Sequence, residues 1–253
     1  MSDKIVHPGT QLYRQGRFLD AAEAYRARIS AGAATAVDIN GLANSLLALR
    51  RYADAIPLLA EAGAIDRQAI PTSMGQDAAI AVCMWLAESR ERGLELMRGF
   101  VEGLERGTIA YANDLVGGLK QGLQLHYMAV TAGDNEQRAF ALAFVRKLSL
   151  SARGKHWPGP VGRLVLGLES LDEVMMAATG VVDVAEGMAL ARTDLMKRRK
   201  LVNAFFGAAT AWRMVGDESR CLGLMRTCAS LENPLIEPDW HLAYGESSVA
   251  MAN

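Results

Sequence analysis

Two asparagines, Asn40 and Asn44, are the most informative polar residues of the sequence. They lie four positions apart within a segment of helical pattern, and therefore on one face of the predicted helix. Alanine or leucine would be a better helix former at both positions, so hydrogen bonding by the side chains is the expected reason for their presence. Two interpretations stay open: the amides bind a ligand, or they cap a helix or bridge two helical hairpins.

A dense basic cluster is the second feature with chemical potential. It precedes an apolar helical stripe near the carboxyl-terminal end of the chain. Such a cluster is either the solvated face of a helix or a contact surface for an acidic peptide or a phosphate group. Both interpretations stay open for this basic cluster, whose residues are Lys197, Arg198, Arg199 and Lys200.

Patterns typical of catalysis or metal binding are not found in the sequence. The 4 histidines have no His or Glu partner at short spacing, and Gly117-Gly118 does not follow a predicted strand, as a phosphate-binding loop requires. Cys221 and Cys228 lie two helical turns apart, about 10 Å, which is too far for a disulfide. They are interpreted as small core residues. The sequence therefore predicts a protein that is not an enzyme and that holds no metal and no cofactor.

Composition and charge narrow the class of partner and the location. The net charge of −1 gives no basic field that would concentrate nucleic acid. No run approaches the roughly 18 uninterrupted apolar residues that span a bilayer, and the amino-terminal residues lack the apolar core of a signal peptide. We therefore expect a cytoplasmic protein that binds neither nucleic acid nor membranes. The sequence leaves the oligomeric state open.

A helical hairpin pattern is written twice between Leu12 and Ala62. Equivalent positions of the two copies are 34 residues apart, a spacing typical of helical repeats. In such an array a small residue lets two helices approach, and an aromatic residue packs against the next hairpin. The equivalent pairs are Phe18 and Tyr52, Asp20 and Asp54, Ala21 and Ala55, and Tyr25 and Leu59.

The two copies resemble the tetratricopeptide repeat (TPR) family. The resemblance implies a concave groove that binds a protein or peptide, with asparagine side chains hydrogen-bonded to the ligand backbone. It also implies that the binding residues are Tyr13, Arg14, Asn40, Asn44 and Arg213. The positions that carry it are Leu12, Gly16, Phe18, Ala21 and Tyr25 in the first copy, Leu42, Leu46, Tyr52, Ala55, Leu59 and Ala62 in the second, and Phe205, Ala208, Trp212, Cys221, Met225 and Cys228 in a later hairpin.

The predicted fold is all-α, a right-handed α-solenoid of about five or six antiparallel helical hairpins. Residues 1–150 are predicted to form the amino-terminal TPR-like hairpins. Residues 151–253 are predicted to form a Trp-Pro segment, a last TPR-like hairpin and a capping tail of the same continuous solenoid. Gly32 and Gly63 are expected to end helices, Asp66 to Ser73 to form a loop, and Tyr111 to Ala132 to form one helix.

The function predicted from these features is a non-enzymatic protein interaction module of bacterial type. It binds a protein or peptide partner in the concave groove of the solenoid. The alternative is an immunity or antitoxin-type protein that neutralises one cognate toxin through a rigid helical surface. A tight, stoichiometric complex with a single partner would distinguish this alternative from a scaffold with many partners.

Overall fold

The computed structural model describes residues 7–32, 34–110, 115–233, 235 and 237–252, the last four of these by their backbone alone. Over these residues the chain is all-α: it forms fourteen α-helices and one 3-10 helix, and no β-strand. The prediction of an all-α fold is confirmed. The chain divides into two compact units, Met1–Gly93 (unit 1) and Leu94–Asn253 (unit 2).

Helices of unit 1 pack in chain order. Each of the first five helices contacts the next, and α1 also contacts α3. Such packing between neighbours in the sequence is what a helical repeat requires. The helices are α1 (Pro8–Arg14), α2 (Phe18–Ser30), α3 (Ala36–Ala48), α4 (Tyr52–Ala69), α5 (Asp77–Ala87) and the start of α6 (Arg90–Arg106).

The turn that ends the first helix of each predicted copy has the same geometry. Arg17 N–H donates to the Leu12 carbonyl at 3.0 Å, and 34 residues later Arg51 N–H donates to the Leu46 carbonyl at 2.9 Å. This bond from the sixth residue to the first defines a Schellman turn, whose fifth residue is left-handed. That residue is Gly16 (φ 76°) in the first copy and Arg50 (φ 61°) in the second.

Tyr25 of α2 is the aromatic residue that wedges between helices. Its ring stacks on His7 with centroids 4.8 Å apart, and its hydroxyl lies 2.8 Å from the Thr10 hydroxyl. A Cβ atom added at Gly9 of α1 or at Gly41 of α3 would lie 2.9 Å or 2.3 Å from this ring. The two glycines therefore make room for the aromatic ring between helices α1 and α3.

Two predicted boundaries in unit 1 have different outcomes. Gly32 follows α2 with a left-handed φ of 72°, so its prediction as a helix terminator is confirmed. Gly63 was predicted to end the second hairpin, and this is wrong: α4 continues to Ala69, so the predicted loop begins at Ile70. A Cβ at Gly63 would lie 3.1 Å from the backbone nitrogen of Gln76. Close packing, not termination, explains this glycine.

Unit 2 is organised around one buried helix. Every residue of α12 from Leu201 to Thr210 is buried, and α12 contacts six other helices, α7, α9, α10, α11, α13 and α14. Packing in unit 2 is therefore not limited to sequence neighbours. After the end of α6, its helices are α7 (Leu119–Ala132), α8 (Asn135–Ser149), the 3-10 helix (Ala152–Lys155), α9 (Gly159–Val165), α10 (Leu171–Thr179), α11 (Val184–Thr193), α12 (Leu195–Met214), α13 (Glu218–Ser230) and α14 (Pro238–Ala252).

The helix predicted from Tyr111 to Ala132 is shorter than expected. Tyr111 lies outside the described residues, and α7 begins only at Leu119 because Gly117 and Gly118 have left-handed φ values of 84° and 91°. Gly122 does lie within α7. A Cβ there would be 2.6 Å from the Phe144 ring of α8, so this glycine permits a close helix approach.

Leu171–Thr193 is a candidate membrane span by length and composition, with a mean hydropathy of 1.5 over its most apolar window. In the structure this stretch forms two helices, α10 and α11, which are separated by a turn at Gly180 (φ 88°). One third of the window, 33%, is buried against the rest of the protein. A single stretch of this kind is weak evidence for a membrane-spanning helix.

Candidate functional site

The Asn40 and Asn44 amides form one polar pair on helix α3. Asn44 Nδ2 donates to Asn40 Oδ1 at 3.3 Å, and both side chains are half-buried. The opposite side of the helix is core, with Ile39, Leu42 and Leu46 buried. Within the described residues the two amides make no further side-chain hydrogen bond. The pairing is within one helix, so it does not bridge two hairpins.

Helix α3 is held in place by a buried carboxylate at its first turn. Asp38 forms a capping box with Thr35, accepts a hydrogen bond from Arg28 Nε of α2 at 3.0 Å, and lies 3.3 Å from His7 Nε2. Burial alone raises the pKa of a carboxyl group. Here the hydrogen bonds from Thr35 and the charge of Arg28 outweigh burial and hold the pKa of Asp38 below its usual value.

Tyr13 and Arg14 lie at the end of α1, which contacts α3. The Tyr13 ring meets the edge of Phe18, with centroids 5.4 Å apart. Arg14 is exposed, and its guanidinium makes no hydrogen bond or ion pair within the described residues. The four candidate residues of unit 1 therefore lie on two adjacent helices.

Arg213 is placed differently, inside unit 2. Its guanidinium donates to Glu218 of α13 and to Glu246 of α14. It also donates to the Thr131 hydroxyl of α7 at 3.1 Å and lies 5.7 Å from the centre of the Tyr127 ring. Its side chain is only 10% exposed. Arg213 thus joins α7, α13 and α14, and these internal contacts occupy the groups that were expected to bind a partner.

The two arginines of the basic cluster are also engaged within unit 2. Arg198 Nε donates to the Ala191 carbonyl at 3.0 Å, and Arg198 Nη1 lies 3.1 Å from Glu232. Arg199 Nη2 donates to the Leu235 carbonyl at 2.9 Å. The Lys200 ammonium lies 5.6 Å from the centre of the Trp157 ring. This placement favours a structural use of both arginines over binding of a phosphate group.

A buried polar cluster in unit 2 escaped the sequence analysis. Asp239, at the start of α14, accepts hydrogen bonds of 2.7 Å from Gln124 Nε2 of α7 and from Asn203 Nδ2 of α12. Glu237 accepts a hydrogen bond of 3.0 Å from Lys120 Nζ. These residues are separated by as many as 117 positions in the chain. The only signal in the sequence is the presence of Lys120 and Gln124, four residues apart, within an apolar helix.

Ionisation of the buried groups is strongly affected by their surroundings. Burial raises the pKa of Asp239 to about 6, and the nearby charge of Lys120 opposes this rise. Burial lowers the pKa of His126 to about 4, with a partly opposing contribution from the Arg138 backbone. Burial also raises the pKa of the Cys83 thiol to about 12 and that of Cys221 to about 11. At neutral pH these thiols stay protonated, so they are poor nucleophiles.

The burial predicted for Cys221 and Cys228 is confirmed, since both thiols are buried and free. Among the described residues, no group of three or more His, Cys, Asp or Glu side chains is arranged to hold a metal ion.

Comparison of the chain with protein-family models, with characterised proteins and with solved structures finds no match. The argument about function therefore depends on the residues and contacts described above.

Proposed function

We propose that unit 1 is a TPR-like solenoid and that the protein binds a protein or peptide partner on the surface formed by helices α1 and α3. The observation that carries the proposal is the Asn40–Asn44 pair, whose amides bond to each other within the described residues and to no neighbouring helix. This leaves Asn40 Nδ2 as a donor and Asn44 Oδ1 as an acceptor for the backbone of a ligand.

The repeat architecture of unit 1 is supported by the recurrence of local geometry. The Schellman turns at Gly16 and Arg50 are 34 residues apart, and each is followed by the same ion pair, Arg17 with Asp20 and Arg51 with Asp54, both at 2.6 Å. A third turn of this type follows α12, where Asp217 N–H donates to the Trp212 carbonyl at 3.0 Å. One hairpin design is thus used at the three places where the sequence resembles the TPR family.

Recognition on this surface combines backbone hydrogen bonds with one charge. An extended peptide exposes unpaired N–H and C=O groups that match the acceptor of Asn44 and the donor of Asn40. Arg14 supplies a positive charge on the adjacent helix α1, and Tyr13 supplies apolar area beside it. The proposed partner therefore carries an extended segment with an acidic side chain. Arg213 and the basic cluster are not assigned to this surface.

The test is capture of the partner by the full-length chain, followed by measurement of affinity. Asn40→Ala together with Asn44→Ala should weaken binding by roughly tenfold or more, since each lost hydrogen bond is worth about 0.5 to 1.5 kcal/mol. Fold stability should hardly change. Alanine is the better helix former, and this gain offsets the loss of one hydrogen bond between residues i and i+4, worth a few tenths of a kcal/mol.

The matched control is Glu61→Ala, an exposed position on α4 of the same unit, which should leave affinity unchanged. Capture that is equally strong with the double variant would contradict the proposed surface. A large loss of stability with unchanged affinity would give the two asparagines a structural role. Recovery of one partner in a tight 1:1 complex would favour the immunity-type alternative over a scaffold with several partners.

A further inference from the structure

Unit 2 contains an apolar groove with a volume of about 640 Å³. It is bounded by helices α8, α9 and α12 and by the turn that connects α9 to α10. Grooves of roughly 300 to 1,000 Å³ with mostly apolar walls are typical sites for small molecules. The apolar side chains that form the walls are Leu142, Leu164, Leu166, Ala208, Met214 and Val215.

Two charged side chains reach this groove, and only one carries an uncompensated charge. Glu169 Oε1 accepts a hydrogen bond from Arg163 Nε at 2.6 Å, so its charge is neutralised. Arg146 also lines the groove and is exposed. Among the residues that the structure describes, its guanidinium has no hydrogen bond and no ion pair. The groove is therefore apolar with a single positive charge.

The remaining polar side chain of the lining is already occupied. The Ser170 hydroxyl accepts from Glu173 N–H and donates to Glu173 Oε2 at 2.9 Å, as the cap of helix α10. A ligand rich in hydroxyl or amide groups would lose its hydrogen bonds to water in such a groove without replacing them. A ligand with a long apolar part and one anionic end loses little there and gains a charge-assisted bond to Arg146.

We propose that this groove binds an amphiphilic carboxylate of the fatty acid class. The aliphatic chain lies along the apolar walls, and the carboxylate pairs with Arg146. This site is on a different unit from the Asn40–Asn44 surface and does not depend on the proposed partner-binding function.

Trp212 provides a direct optical probe, because it lines the groove. We would titrate the full-length chain with dodecanoate, below the concentration at which it forms micelles, and follow both tryptophan fluorescence and heat of binding. The expected result is a saturable fluorescence change with one dodecanoate bound per chain. In Trp212→Phe the fluorescence change should disappear while the heat of binding remains.

Charge variants then test the role of Arg146. Arg146→Gln should weaken dodecanoate binding roughly tenfold or more, which is the usual effect of losing one hydrogen bond between charged groups. The matched control is Arg226→Gln on α13, because Arg226 is exposed and does not line the groove. It should leave dodecanoate affinity unchanged. Binding of uncharged dodecanol should be the same in the wild-type chain and in Arg146→Gln.

A volume variant tests the position of the aliphatic chain. Ala211→Trp places a bulky side chain on the groove wall and should abolish binding, provided that its circular dichroism matches that of the wild type. If this variant does not fold, Arg146→Gln still decides the question. The proposal is overturned if dodecanoate shows no saturable binding, if Arg226→Gln weakens it as much as Arg146→Gln, or if dodecyltrimethylammonium binds as tightly.

Discussion

Two buried titratable side chains of unit 2, Asp239 and His126, change the stability of the fold in opposite directions over one range of pH. Asp239 has a raised pKa in the folded protein, so the folded state binds its proton more tightly than the unfolded state does. His126 has a lowered pKa, so the folded state binds its proton less tightly. Between about pH 4 and pH 6.5 the two contributions oppose each other.

The contribution of Asp239 is present at low pH and is lost as the pH rises through its folded pKa of about 6. A shift of roughly two units from the model-peptide value corresponds to about 3 kcal/mol. We expect Asp239→Asn to remove this fall in the free energy of unfolding. Urea denaturation from pH 4 to pH 7 measures it. Parallel pH profiles for the wild type and the variant would contradict the buried position of this carboxyl group.

His126 has the reverse dependence. Its neutral form stabilises the fold above the unfolded pKa of about 6.5, and this stability is lost as the pH falls toward 4. The loss amounts to roughly 3 kcal/mol. Substitution His126→Met should therefore make the protein less sensitive to acid, as thermal unfolding at pH 4.5 and pH 7 will show. Relative to the wild type, the variant should lose less stability on acidification; an equal loss would argue against burial of the imidazole.

At the scale of single elements, the turn between α1 and α2 depends on a left-handed residue. Gly16 has φ 76° and no atom within 4 Å of an added Cβ, so a side chain there meets only the backbone cost. Gly16→Ala should lower the free energy of unfolding by about 1 kcal/mol. The control is Gly223→Ala on the exposed side of α13, where an added Cβ also meets no atom. That change should stabilise the protein by up to about 1 kcal/mol. Denaturant titration of both variants should give changes of opposite sign.

Glycines also show how far local sequence can predict elements. Gly32 and Gly63 both follow an apolar helical segment, yet Gly32 ends a helix and Gly63 lies inside one. The difference is the backbone of Gln76, which packs closely on Gly63 and is supplied by a distant part of the chain. Hairpin existence depends on local periodicity and could be predicted. Helix ends that depend on tertiary contacts could not be.

The same distinction applies to the candidate site residues. The one-face placement of Asn40 and Asn44 follows from their spacing, and the structure pairs them. Arg213 looks similar to a groove residue in the sequence, but its partners Thr131 and Glu246 lie 82 and 33 residues away. No local pattern announces those contacts. Polar groups that are satisfied by long-range contacts are therefore the part of the site that the sequence alone does not predict.

At the scale of the whole molecule, the two units differ in how their helices share contacts. In unit 1 each helix packs mainly on its sequence neighbours, so helices at the end of the array can open without disturbing the others. In unit 2, α12 is packed by six helices and is buried from Leu201 to Thr210. Opening of α12 therefore requires most of unit 2 to unfold.

Hydrogen exchange of the full-length chain should reflect this difference. The amides of Leu201 to Thr210 should exchange only through global opening of unit 2, with the greatest protection in that unit, because no local motion exposes them. The short helix α1, which contacts only α2 and α3, should exchange first among the helices of unit 1. Mass spectrometry of peptic peptides provides the measurement, and the exposed segment between Gly180 and Asp183 provides a fast-exchanging reference within unit 2. If α12 exchanged as rapidly as α1, the central position of α12 would have to be rejected, because an amide packed beneath six helices has no local route to water.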